Sequence, residues 1–280
     1  MRTVVFLLAV LFAAALWAQD TVYVCPMDPD IRSTAPGICP RCGMKLVAGT
    51  PDPVEYRMDV RVTPSAPKPA EQVKLEFTVR NPWNNRPVTH FRMVHEKLFH
   101  MFVVSQDLQF FVHDHSTFDT DGSFRFDVSF PKPGMYRVLG DFYPDGAMPQ
   151  LIAETVIVPG AVPGLVALKG DYSTKEAENM QVELVTDPPQ PIRGMKTRMF
   201  FRVRPAEGLE QYLGAWGHML AASDDLIDLI HTHPFLADGG AQIQFNMIFP
   251  RARTYRIWVQ FLRKGVLNTA RFDVPVRALE

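Results

Sequence analysis

The chain carries one pattern in both of its halves. His100-Met101-Phe102-Val103-Val104-Ser105-Gln106-Asp107-Leu108 closes on His113-Asp114-His115, and His218-Met219-Leu220-Ala221-Ala222-Ser223-Asp224-Asp225-Leu226 closes on His231-Thr232-His233. Six of the eight histidines occupy matching positions. Each copy reads as strand, polar turn, strand, with 105–108 and 223–226 at the bends, which is a β-hairpin. The flanking segments repeat as well: Phe124-Arg125-Phe126-Asp127-Val128 alternates apolar and polar residues, as does Ile243-Gln244-Phe245-Asn246-Met247, and Tyr136-Arg137-Val138-Leu139 matches Tyr255-Arg256-Ile257-Trp258. Duplication explains this order better than coincidence. Short strands without long helical patterns predict a mainly β protein, with two tandem Ig-like β-sandwich domains over 53–159 and 165–280 behind a small Cys-rich module at 22–48.

The hairpins carry the chemistry. With two-residue loops, Gln106-Asp107 and Asp224-Asp225, His100 lies opposite His113 and His218 opposite His231. His115 and His233, two residues on, point to the same faces. Three imidazoles then converge on each hairpin, a donor set that suits copper or zinc. A one-residue bulge would turn them to different faces and dissolve the triads. Met101 and Met219 alternate onto the opposite, core face. His90 and His95 occur only in the first copy, so His95 is the expected fourth ligand of the first site. Asp141, which aligns with Gln260, and Asp119 are read as structural or solvated carboxylates.

With 29 basic against 30 acidic residues, the chain has no electrostatic footprint for nucleic acid. Met1-Arg2, the apolar run 4–17 and Ala18 have the form of a secretory signal peptide over 1–18. The mature protein is therefore expected to be periplasmic or secreted, with no membrane span once the signal is removed.

All three cysteines fall between the signal and the first sandwich. Cys39 and Cys42 form a C-x-x-C knuckle to which Cys25 adds a third sulfur, with Met27, Met44 and Asp28 as candidates for the remaining position. Sulfur-rich donors favour Cu(I) or zinc. A disulfide between two of the thiols is the alternative in an oxidising compartment, and a segment this short needs a staple of one kind or the other. Cys25-Pro26-Met27-Asp28-Pro29, a gap ending in Pro36-Gly37, then Cys39-Pro40-Arg41-Cys42-Gly43-Met44 resemble the heavy-metal-binding domain that opens many bacterial copper-transporting ATPases and periplasmic adaptors of copper and silver efflux pumps. The resemblance implies metal binding by Cys25, Met27, Cys39, Cys42 and Met44, and departs at Asp28, where the family usually has histidine and a carboxylate is a harder donor. His95-Glu96-Lys97 leading to His100-Met101, together with Val112-His113-Asp114-His115, is similar to uncharacterised secreted bacterial proteins that join this module to two β domains.

The expected function is that of a metal-binding protein, with copper as its ion and zinc as the alternative, which sequesters ions or hands them to an efflux pump or metallochaperone. An accessory protein with metal only as a folding staple is the second reading. A cupin-like enzyme is the third and weakest. The glutamate after His-x-His and the later histidine of such a centre are missing, as are a nucleophile triad and a phosphate loop, so no catalysis is expected.

Overall fold

The structure is a computed structural model that describes residues 23–279, apart from 29, 30, 34, 50–53, 146 and 163. The expected signal segment, 1–18, lies outside the described residues. Every regular element among the described residues is a β-strand. The N-terminal module is a three-stranded sheet in which β1 (Tyr23–Val24) runs between β2 (Arg32–Ser33) and β3 (Val47–Ala48). Among the described residues its small interior gathers Cys25, Cys39 and Leu46, with Tyr23, Met27, Ile31 and Cys42 packed against them.

The first sandwich contains β4 (Arg57–Thr63), β5 (Gln72–Arg80), β6 (Phe99–Ser105), β7 (Phe111–Asp114), β8 (Thr117–Phe118), β9 (Phe124–Ser129), β10 (Gly134–Phe142) and β11 (Gln150–Val158). Its two sheets have the orders β4-β5-β9-β8 and β11-β10-β6-β7. The alternation in β5 aims Val73, Leu75, Phe77 and Val79 inward, where they are fully buried, and leaves the intervening residues outside. Phe99 stacks on Phe124 at 4.5 Å in the same core.

The second sandwich repeats the plan with β12 (Lys175–Glu176), β13 (Gln181–Asp187), β14 (Lys196–Arg204), β15 (Leu209–Glu210), β16 (His218–Ser223), β17 (Leu229–Thr232), β18 (Gln242–Ile248), β19 (Thr254–Arg263) and β20 (Val266–Pro275). One sheet is β12-β13-β14-β18. The other joins β19, β16 and β17, with β15 and β20 also paired to β19.

The hairpin register differs from the two-residue-loop expectation. Phe102 pairs with His113 and Met101 with Asp114; Leu220 pairs with His231 and Met219 with Thr232. The loops are two residues longer, because a two-residue hairpin turn needs positive φ at its centre and Gln106-Asp107 contains neither Gly nor Asn. Instead the Asp107 carboxylate accepts from Ser105 Oγ at 2.5 Å and from the Gln109 amide at 3.1 Å, and Leu108 takes the left-handed conformation at φ 56°. Asp225 and Leu226 do the same in the second copy. A shift of two residues leaves every side chain on its original face.

β6 and β16 are buried along their whole lengths. Alternate residues on one face enter their own cores, Met101 and Met219 among them. The other face packs against the other domain. Phe102, Val104 and Leu139 meet Leu220, Ala222 and Trp258 in one apolar cluster, and Trp258 stacks on Phe111 at 4.9 Å. Full burial of a large apolar side chain is worth about 1.5–3 kcal/mol, so this layer favours the docked arrangement. The module sits against both domains, with Met44 packed on Val94 and Tyr143 and the Arg41 guanidinium 4.3 Å over the Phe235 ring.

Candidate metal centre

Each triad is built on one hairpin and finished by two further elements. His100 and His218 open β6 and β16 and face the domain interface. Just upstream a tight turn folds back: Val94 bridges to Lys97 around His95-Glu96, and Tyr212 bridges to Ala215 around Leu213-Gly214. All four turn residues have positive φ. These turns present the carbonyl of Val94 to His100 Nε2 at 3.0 Å and that of Tyr212 to His218 Nε2 at 2.8 Å. A carbonyl only accepts, so both rings carry their proton on Nε2 and their Nδ1 atoms are bare.

The middle histidines are fixed from the other domain. His113 Nδ1 lies 2.7 Å from Gln260 Oε1, whose amide nitrogen is committed to Thr269 Oγ1 at 3.1 Å. His231 Nδ1 lies 2.5 Å from Asp141 Oδ2. Asp141 pairs with His100 on the neighbouring strand, and Gln260 pairs with His218. The two aligned positions thus play one role crosswise, each holding the other domain's middle imidazole. This goes beyond the reading of Asp141 as a structural or solvated carboxylate: its alignment with Gln260 is the signal in the sequence, and only the docking of the domains reveals its partner. Asp119 does pair at the surface, with Arg125.

The inward-facing nitrogens converge. His100 Nδ1 is 3.4 Å from His113 Nε2 and 3.2 Å from His115 Nε2, and His218 Nδ1 is 3.1 Å from His233 Nε2. In tetrahedral coordination, metal–nitrogen bonds of about 2.0–2.1 Å imply nitrogen–nitrogen edges of about 3.3 Å. In each triad the three ligand atoms lie within 4.8 Å of one another. His231 Nε2 is buried and has no hydrogen-bond partner. Burial keeps all these rings neutral: His100 is lowered to about 4, His231 to about 3 and His115 to about 2, while His113, His218 and His233 fall well below the ordinary histidine value. The same burial raises Asp141 to about 6, so above that pH it is a carboxylate accepting from His231.

His95 does not complete the first triad, as expected of it, but crosses the interface. Its ring lies against that of His233 at 3.7 Å, tilted by 32°, and its buried Nε2 is unpartnered. The tight turn that carries it points toward the second domain. His90 is exposed and bonds to Thr89.

In the module, all three cysteines are free thiols. Cys25, Cys39, Cys42 and Asp28 form a third group with ligand atoms within 4.8 Å of one another. Cys25 Sγ is 3.4 Å from Cys42 Sγ, and Asp28 Oδ2 is 3.5 Å from Cys39 Sγ. The Cys42 thiol draws the Cys25 value down to about 6, whereas Cys42 itself is raised, first by the shared hydrogen bond with Cys25 and then by burial. Met44 is taken up by the docking contact, and Met27 flanks the group. A cavity of about 240 Å³ joins the two chemistries, with Met27, Asp28 and Cys42 on one side and Asp141, His231 and His233 on the other.

A family profile described as a domain of unknown function (DUF8832) matches residues 53–158 and again 174–278, and a heavy metal binding domain profile matches 22–48. No curated protein matches the chain. Among solved structures, the Yersinia pseudotuberculosis adhesin InvE is similar at 11% identity over 78% of this chain and 58% of that one, with a TM-score of 0.25. A Salmonella alpha-2-macroglobulin reacted with methylamine is similar at 13% identity over 90% of this chain and 16% of that one, with a TM-score of 0.28. A two-domain fibronectin type-III segment of chicken tenascin is similar at 8% identity over 79% of this chain and 99% of that one, with a TM-score of 0.25. The chain therefore spans less than two thirds of the adhesin and of the macroglobulin.

Proposed function

We propose that this chain, which belongs to the DUF8832 family of domains of unknown function, is a metal-binding protein that takes ions on its thiolate module and holds them on its imidazole triads. One observation carries the reading: in each triad two ring nitrogens have their lone pairs turned inward, because the other nitrogen of the same ring is committed to a carbonyl, amide or carboxylate oxygen. Lone pairs held together in a buried site repel unless a cation lies between them. Copper is the ion that suits both donor sets, sulfur in the module and imidazole in the sandwiches, and zinc is the alternative. The neutral rings and the Asp141 carboxylate also leave less uncompensated charge around Cu(I) than around a divalent ion.

The cavity shared by Cys42, His231 and His233 supports handing on within one molecule. The apolar layer around Phe102 and Trp258 gives the domains a contact that does not itself involve the metal ligands, which favours the carrier reading over metal as a mere staple. The role proposed is non-catalytic and set outside the cytoplasm, with an efflux pump or metallochaperone as partner. Elemental analysis after reconstitution with Cu(I), Cu(II) or zinc should find more than one ion per chain. A variant with His100, His113, His218 and His231 changed to alanine should retain only the thiolate-bound ion. Equal stoichiometry in the two proteins overturns the reading.

A further inference from the structure

The six triad rings form one group. Across the domain interface His113 and His218 have ring centroids 5.5 Å apart, His100 and His231 5.9 Å, and His100 and His218 6.0 Å. Within the triads the corresponding separations run from 4.5 Å for His231 and His233 to 5.9 Å for His218 and His231. The closest rings of different domains are thus within the range set by rings of one hairpin. His95 adds a seventh imidazole from the first domain against His233 of the second. Asp141 and Gln260 tie each triad to the opposite sandwich.

We infer that the two triads are halves of a single two-ion centre spanning the domain interface, which takes a small bridging anion when loaded with divalent ions. The inference rests on the metal-binding reading above. Two-metal sites hold their ions about 3.5–4 Å apart, and the rings that would seat the two ions have centroids 5.5–6.0 Å apart across the interface. Charge requires the anion. Two divalent ions bring four positive charges to a group of imidazoles whose bonded carboxylate is Asp141, and a buried excess of that size is costly unless an anion enters with the metal. Two ions sharing an anion are exchange-coupled and lose integrated spin, close ions without a bridge show only dipolar coupling, and ions in distant sites show neither.

The experiment uses the full chain with Cys25, Cys39 and Cys42 changed to serine, so that only imidazole-bound metal is counted. It is loaded with Cu(II), its copper measured by elemental analysis, and its unpaired spins integrated by electron paramagnetic resonance. The expected result is two coppers per chain with an integrated spin well below the copper content, or with the formally forbidden half-field transition of a coupled pair. His218→Ala in the same background should lose one copper and recover an ordinary mononuclear spectrum with one spin per copper. Two coppers with full spin and no half-field line overturn the two-ion centre while leaving metal binding intact. No imidazole-bound copper at all overturns both.

Discussion

The imidazoles of the triads sit in an environment that rejects protons, and this has a thermodynamic consequence. Burial, the largest cause, holds the native value of His100 near 4 and that of His231 near 3, against the ordinary 6.5 that applies in the unfolded chain. As pH falls through 6.5 the unfolded state takes up protons that the native state refuses until about 4, so stability is lost across that window. Asp141 acts in the opposite direction, since its raised value lets the native state take a proton between about 6 and 3.8. One carboxyl is outweighed by the buried rings. For the metal-free protein the urea midpoint should therefore drop between pH 7 and pH 5, with His100 alone contributing about 2 kcal/mol. A midpoint that is unchanged or higher at pH 5 would show that these rings are not buried neutral. The histidines themselves were legible in the sequence, because their spacing recurs while the residues around them are exchanged. Asp141 was not, because its role depends on a residue ninety positions away in another domain.

The hairpins show where local reasoning stops short. Strand, turn and strand could be read from the pattern, and the side-chain faces survived, but the turn was set two residues too tight. Ser105 and Asp107, repeated as Ser223 and Asp225, were the available clue: an aspartate two residues after a serine closes a loop through its own carboxylate. Asp225 is the more heavily engaged of the pair, accepting from both terminal nitrogens of Arg251 at 2.8 Å and from Ser223 Oγ at 2.6 Å. Arg251 in turn reaches Asp228 in the same hairpin at 2.8 Å. Asp225→Ala should destabilise the protein by about 1–3 kcal/mol. Its effect on copper should be one-sided, weakening the second triad and sparing the first. Titration of each variant with a competing chelator measures this, and equal weakening of both triads would mean the loop does not set hairpin geometry locally.

That the two sandwiches meet face to face is legible in the chain. A strand with one face in solvent alternates, as β5 does, whereas Phe99-His100-Met101-Phe102-Val103-Val104 and His218-Met219-Leu220-Ala221-Ala222 are almost continuously apolar, the pattern of strands covered on both sides. Each domain has its own core, so docking is separable from folding. Leu220, buried at the centre of the contact and paired with His231, is the place to test this. Leu220→Asp puts a carboxylate into the apolar layer, where it has no partner, and should part the domains while leaving both sandwiches folded. Small-angle scattering should then show a larger radius of gyration with the far-ultraviolet circular dichroism unchanged. Parting the domains removes Gln260 from His113 and Asp141 from His231, the loss of outer partners that typically costs about 10–100-fold in metal affinity. Both triads should weaken together. If the domains part and copper affinity holds, each hairpin is a self-sufficient site and the crosswise hydrogen bonds only decorate it; if affinity collapses, the metal reports on domain docking, and binding a partner that separates the sandwiches would release it.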